Sequence, residues 1–315
     1  MTARTRRGRG GVGLGGRAGA KPPARPARLS TNKIILLLMA LPSLLVILLI
    51  NVYPLLYAAN QAVRRGSLID AGPFVGADNF VDVLTDDMFW DAARFTLVFT
   101  LVGVFGSWLV GFAIALTLRS KIPAAGTFKV LLLLPWVIPV VSSAMAWNWL
   151  IATPTSPIPQ LFDALGLGHP LFLANPTLAM ITVCVFKVWV SFPFMMLMMS
   201  SALAGVDESV YEAGRMDGAS RWQQLIHLTL PMISRPIYVS WILMTIFCVN
   251  DFTTVYLLTG GGPVGATNTL LVLAYRTVFQ DMRTGPGVAI AFLMTFVLIV
   301  ISVFLYRQIR KSSLQ

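Results

Sequence analysis

Long apolar runs separated by shorter polar ones dominate this chain after residue 33. The hydrophobic positions come in blocks, without the strict alternation of a half-buried strand or the one-sided stripe of a surface helix. Each block approaches or exceeds the roughly 20 residues that a helix needs to cross about 30 Å of hydrocarbon. Six blocks predict six transmembrane helices, at about 33–57, 95–118, 129–151, 177–201, 236–258 and 288–308. The fold class expected is an all-α membrane protein. Pro135 and Pro139 in the third block and Pro193 in the fourth predict kinks, since proline has no N–H to close a helical turn and neighbours or water must satisfy the freed carbonyls.

One polar stretch breaks the pattern. Between the fourth and fifth blocks, Tyr211 to Pro231 reads YEAGRMDGASRWQQLIHLTLP. Asp207 is placed to cap a short helix through Val210, Glu212 and Ala213, with acids in the first turn where the helix dipole favours them. Gly218 takes the left-handed conformation that ends it. Trp222, Leu225, Ile226 and Thr229 then recur at the spacing of a second helix with one apolar face, ending before Pro231. An amphipathic connector lying flat on the bilayer fits this periodicity. Such helices usually carry a Lys/Arg-rich polar face, whereas this one mixes Glu212, Asp217, Arg215 and Arg221 with the small residues Ala213, Gly214, Gly218 and Ala219. Small residues let another backbone approach closely, which favours docking to a cytoplasmic partner.

Charge sets the orientation. Residues 1–33 hold nine Lys/Arg and no acid. Arg119, Lys121 and Lys129 fall on the same side by alternation, as do Arg215, Arg221 and Arg235, and Arg307, Arg310 and Lys311 at the end. The alternate loops carry Asp70, Asp78, Asp82, Asp86, Asp87, Asp91, Asp163 and Asp281. Arg64, Arg65, Arg94, Arg276 and Arg283 are a minority there. The positive-inside rule then puts both termini and the 211–231 stretch in the cytoplasm. The net charge of +11 could suggest nucleic acid, but most of the excess sits in an Arg/Gly/Pro/Ala-rich tail, 1–32, too poor in apolar residues to fold and suited to anionic headgroups. No nucleic-acid partner is expected. The first block is too long for a cleaved signal core and reads as a retained anchor.

Composition, 56% hydrophobic and 12% charged, agrees with a membrane protein. Cys184 and Cys248 fall within the blocks and read as buried thiols, and His169 and His227 lie in different compartments, so no histidine metal centre is expected. Gly260-Gly261-Gly262-Pro263 lacks the Lys-Ser/Thr of a phosphate loop and reads as a turn capping the fifth block. The chain itself is not expected to hydrolyse ATP. Lys187 in the fourth block and Asp251 in the fifth each cost on the order of 3 kcal/mol inside a bilayer unless they meet water or a partner. Either they satisfy each other or they meet solute. Asn250 and Tyr256, close to Asp251 in sequence, join them on a candidate substrate pathway. Trp147, Trp149 and Trp189 would either stack on a ring of the solute or anchor at the membrane interface.

Glu212-Ala213-Gly214, then Asp217-Gly218-Ala219, Trp222 and Leu228-Thr229-Leu230-Pro231 resemble the cytoplasmic loop (EAA motif) of the integral-membrane permeases of ABC-type solute importers. Gly214 stands where the family pattern has Ala. Leu257-Leu258-Thr259-Gly260-Gly261-Gly262-Pro263, with Thr269 and Tyr275 downstream, is similar to carbohydrate-importer permeases of the maltose and glycerol-phosphate type, more narrowly the first of their two unlike subunits. The resemblance implies a type I importer permease over 33–315, with 205–231 as its coupling loop. Tyr211, Glu212, Ala213, Gly214, Arg215, Asp217, Gly218, Ala219 and Trp222 would then meet a cytoplasmic ATPase. It further implies a second permease, a dimeric ATP-binding subunit and an extracytoplasmic solute-binding protein as partners, a sugar or related carbohydrate as solute, ATP and Mg in the partner ATPase rather than in this chain, and residence in the plasma or inner membrane. A self-contained secondary transporter is the rival. It would need coupling ions at broken helices, and apart from Asp251 the blocks hold almost no carboxylate. A membrane enzyme is weaker still, for want of a nucleophile and base.

Overall fold

The computed structural model describes residues 31–119 and 125–312. The chain forms two units, Met1–Pro54 and Leu55–Gln315. In the first, the described residues belong to one helix, α1 (Thr31–Ala62), which continues into the second unit. Leu36, Met39, Leu49 and Ile50 are all exposed, so α1 has no polar face, as hydrocarbon surroundings select. The expected basic tail, 1–32, lies outside the described residues except for Thr31 and Asn32.

The described residues of the second unit are mostly helical. After α1 come α2 (Asp78–Leu84) and a rod built of α3 (Asp87–Leu101), a wide π turn, π1 (Val102–Gly106), and α4 (Ser107–Arg119). Next are α5 (Ala125–Val137), α6 (Val140–Ile151), α7 (Pro157–Ala164) and α8 (Pro176–Ala204). The polar connector holds α9 (Glu208–Met216), α10 (Arg221–Gln224), a second π turn, π2 (Leu225–Thr229), and α11 (Leu230–Met232). Then follow α12 (Ser234–Val249), α13 (Phe252–Thr259), α14 (Leu270–Phe279) and α15 (Thr284–Ser312). α1, the α3–α4 rod, α8 and α15 are long and apolar enough to cross a bilayer. α5 and α6 form a pair bent by 88°, and Arg221–Met232 with α12 a pair bent by 69°, so the spans number six if each pair crosses once.

The blocks need correction in several places. The third block is no kinked rod. It breaks at Ile138–Pro139, where Pro139 adopts φ −52°, ψ 129° and caps α6, since proline disfavours a helical residue before it and cannot donate within a turn. α8 is not broken at Pro193 but continues as one helix, although the ring cannot bond the Trp189 carbonyl. The fifth block is interrupted at Asn250 and Asp251, so that Asp251 starts α13 rather than lying within a span. The rod also begins at Asp87, not near 95, because Asp86 Oδ1 accepts the Met88 N–H (2.9 Å) and acids suit a helix N-terminus. The short helices α2, α7 and α14 were not expected.

Helix association in lipid depends on close packing more than on removing apolar surface from water. Glycines in the rod supply the close approach. A Cβ on Gly111 would lie 2.6 Å from the Met196 backbone nitrogen and 2.8 Å from the Phe192 carbonyl, so the backbones of α4 and α8 touch there. Gly106 instead makes room for the Val188 side chain, and Gly103 for those of Cys248 and Lys187. Around α8 the core is continuous: Phe99, Val183, Phe186, Met195, Met244, Cys248, Val255 and Val272 on one side, and Phe112, Met199, Leu203, Ile233 and Ile237 toward its end. α8 is thus the axle on which the polar connector and the broken fifth stretch are mounted.

Candidate functional site

The connector has the expected helix, glycine turn and helix. Asp207 Oδ1 accepts the Ser209 N–H at 3.0 Å and starts α9. That backbone hydrogen bond holds the Asp207 carboxyl below the usual carboxylate range, so the cap is complete at neutral pH and is lost as pH falls through the lowered value. Gly218 sits at φ +78° with nothing within 4 Å of where a Cβ would stand, so the backbone alone requires glycine there. The Ala219 N–H closes onto the Gly214 carbonyl at 2.9 Å. Ser220 and Gln223 then form a reciprocal capping box for α10.

Past α10 the chain departs from expectation. The helix does not stop before Pro231 but passes through π2 into α11, so that Pro231 lies inside the helical run Arg221–Met232, next to its end. The single apolar face is also divided. Leu225 and Thr229 turn inward, while Trp222, 68% exposed, and Ile226 face out.

Of the nine residues assigned to the ATPase, Glu212, Ala213, Arg215, Asp217, Gly218 and Trp222 are exposed, and Tyr211, Gly214 and Ala219 are half-buried. Tyr211 points into the protein. Its hydroxyl lies 3.2 Å from Thr229 Oγ1, and because Thr229 gives its own proton to the Gln224 carbonyl (3.2 Å), the tyrosine donates. The Arg119 guanidinium stacks over the Tyr211 ring at 4.3 Å, tying the connector to the end of the α3–α4 rod. A Cβ on Gly214 would come within 2.9 Å of Leu228, so this glycine serves internal packing. Sequence reading named Arg119 as a cytoplasmic charge and Leu228 within the motif, but not these contacts, which carry no local signal.

A second cluster lies beside α8. Lys187 Nζ is 2.7 Å from Asp251 Oδ2, with the two side chains 7% and 11% exposed. The two charges bridge to each other, one of the two arrangements expected for them. Asp251 Oδ1 accepts the Thr254 N–H at 3.0 Å as the cap of α13. Asn250 is exposed and donates to the Ile246 carbonyl. Trp147 and Trp189 lie 5.6 Å apart and both pack on Phe186, while Trp149 is 70% exposed. Tyr256 stacks on Phe252 at 4.6 Å and meets Tyr275 at 5.3 Å. Of the six pathway candidates, the structure joins Lys187 to Asp251 and Trp147 to Trp189, packs Tyr256 against the same core cluster as the two tryptophans, and leaves Asn250 exposed.

Lys187 also lines a recess of about 360 Å³ between the break after α5, α8 and α12. Its other walls include Trp136, Pro139, Ser191, Phe194 and Phe247. The volume lies in the range of roughly 300–1,000 Å³ usual for small-molecule sites, and the lining is mostly aromatic and apolar with a few polar groups. Trp136, Ser191, Phe194 and Phe247 were not singled out from sequence, because their convergence depends on the 88° break.

Residues 107–313 match the family described as binding-protein-dependent transport system inner membrane component. The trehalose/maltose transport system permease protein MalF of Thermococcus litoralis is 31% identical over 274 residues, covering 86% of this chain and 92% of that protein. The trehalose transport system permease protein SugA of Mycobacterium tuberculosis is 29% identical, covering 85% and 86%. The sulfoquinovosyl glycerol transport system permease protein SmoG of Agrobacterium fabrum is 27% identical, covering 84% and 86%. In fold, the chain superposes on a chain of a bacterial ABC transporter involved in the import of the acidic polysaccharide alginate with a TM-score of 0.78, at 21% identity, over 89% of this chain and 96% of that one.

Proposed function

The chain belongs to the family of binding-protein-dependent transport system inner membrane components, and on that premise we propose that it forms one side of the translocation pathway of an ATP-driven importer of a sugar or related carbohydrate. The permease role comes with the family. The solute is inferred from the relatives named for trehalose, maltose and sulfoquinovosyl glycerol. In this reading α9 is the coupling helix and meets a cytoplasmic ATPase subunit, which holds ATP and Mg²⁺. A second permease completes the pathway, and an extracytoplasmic binding protein delivers the solute. Both termini are cytoplasmic. Closure of the ATPase pair moves the coupling helices together and turns the pathway from inward- to outward-facing.

The observation that carries this reading is the connector: a capped helix, α9, whose exposed face presents Glu212, Arg215 and Asp217 while its other face is anchored through Tyr211 and Gly214. A connector that merely lay on the bilayer would bury an apolar face in lipid. Here the exposed surface mixes Glu212, Arg215 and Asp217 with Met216 and Trp222, as a face meeting a protein groove does, and the half-buried residues are already engaged by Leu228, Thr229 and Arg119. The test is purification of the tagged chain from membranes that co-express the neighbouring ATPase, binding-protein and permease genes. The expected result is a stable complex with ATPase subunits whose hydrolysis is stimulated by binding protein loaded with trehalose or maltose. Recovery of this chain with no ATPase would overturn the coupling role; ATPase stimulation by neither sugar, with the complex intact, would overturn the solute assignment alone.

A further inference from the structure

We propose that Lys187 and Asp251 are a positioning pair that fixes the break in the fifth apolar stretch against α8, and that Asp251 holds its place without touching solute; this rests on the pathway reading above.

The break creates a local problem. Asn250 and Asp251 leave helical geometry, at ψ 12° and 89°; the Phe252 N–H still reaches the Asn250 carbonyl at 3.1 Å, but the Thr254 N–H needs an acceptor from outside the preceding helix. Asp251 supplies one, its Oδ1 taking the Thr254 N–H. The other oxygen, Oδ2, takes the Lys187 ammonium. Each carboxylate oxygen therefore has a partner within the chain, and with 11% of the side chain exposed little of it is open to an incoming hydroxyl.

Lys187 is held with equal care. Its stem passes Gly103 in π1, where a Cβ would approach Lys187 Cγ to 3.2 Å, and its ammonium lies 5.8 Å from the Phe99 ring centroid. α13, in turn, carries Tyr256 against Tyr275, and its Leu258 carbonyl accepts from Asn148 on α6. The pair thus links the wall of the recess to α13 and, through it, to α6 and the Gly260 turn. A charge pair so placed sets where these segments stand. Removing either member leaves a buried charge without its counter-ion, whereas removing both leaves none.

The cap and the charge can be separated. Asn caps helices as well as Asp, so Asp251→Asn retains the acceptor for Thr254 and removes only the charge. Lys187→Met retains the stem. Uptake of radiolabelled trehalose and maltose would be measured for the assembled complex in proteoliposomes, alongside thermal unfolding of the purified full chain. Each single variant should lose about tenfold in uptake rate and unfold at lower temperature. The K187M/D251N double should recover to within about twofold of the unmodified complex, with unchanged half-saturation. K187M/D251A, which lacks the cap, should recover less.

A double variant as defective as the singles, or one whose half-saturation rises about tenfold at normal maximal rate, would show solute contact and overturn the proposal. Full uptake and normal unfolding in both singles would overturn it as well. If the unmodified complex takes up neither sugar, the solute assignment has failed, and the unfolding series alone decides: recovery in the double supports the pair, and no recovery rejects it.

Discussion

Two kinds of glycine act in this chain, and they answer to different substitutions. Gly103 is a packing glycine. A Cβ there would lie 2.7 Å from Cys248 Sγ and 3.2 Å from Lys187 Cγ, and neither neighbour is free to retreat, since Cys248 is buried and Lys187 is tied to Asp251. Gly103→Ala should destabilise the chain by about 1–3 kcal/mol through overpacking, partly offset by the better helix propensity of alanine, about 1 kcal/mol. Adding Cys248→Ala removes the closest atom, so the double variant should unfold at higher temperature than Gly103→Ala alone in detergent. A double no better than the single would mean that the crowding at Gly103 lies elsewhere. Gly218 is a conformational glycine, and its vacant surroundings mean that only the backbone resists a side chain.

At the level of elements, that difference decides how α9 and α10 are joined. Placing an L-residue in the left-handed region costs roughly 1–2 kcal/mol, least for Asn, and most for a bulky or β-branched residue. Gly218→Val should distort the turn, abolish uptake and weaken ATPase docking while the chain still reaches the membrane; Gly218→Asn should leave uptake near normal. Normal uptake by Gly218→Val would remove the coupling role from this turn. The turn was legible in sequence because its causes are local: Asp207, Gly218 and the Gly260 terminus of α13 each act within a few residues of themselves. The apolar blocks were legible for the same reason. The severity of the break at Pro139 was not, nor that α8 stays one helix through Pro193, since the same proline chemistry interrupts one span and leaves the other unbroken. Nor was the contact of Arg119 with Tyr211, because block lengths and loop charges carry no information on which faces meet; the contact of Lys187 with Asp251, 64 positions away, was legible as one of two alternatives, from the cost of leaving either charge alone in the bilayer.

For the whole molecule, the arrangement of charge in the loops makes a sidedness prediction. Asp82 and Arg221 are both exposed and belong to loops expected on opposite sides of the membrane. Single cysteines introduced at these positions should react with an impermeant thiol reagent in intact cells only at position 82. The native Cys184 and Cys248 are buried and should contribute little background. Replacing Asp82 loses its ion pair with Arg65, but both partners are well exposed, and such surface pairs contribute about 0–1 kcal/mol. Labelling at 221 alone would invert the topology and move α9 out of reach of any cytoplasmic ATPase.

The rod of α3, π1 and α4 keeps its buried stripe over a length at which a plain helix would drift. From Phe89 to Ala115 the buried positions advance by 26 residues, where seven α turns would advance by about 25. π1 absorbs the surplus, like a slipped tooth on a vernier, and it does so at Gly103, beside Lys187. A turn that stores one extra residue is a fixed quantum of slack: were it to tighten into an α turn, the half of the rod ending at Arg119 would be displaced against the half beginning at Asp87 by about 1.5 Å along the axis and about 100° around it. The depth at which the chain keeps its buried ion pair is therefore also the depth at which its second span keeps a notch of unspent screw motion.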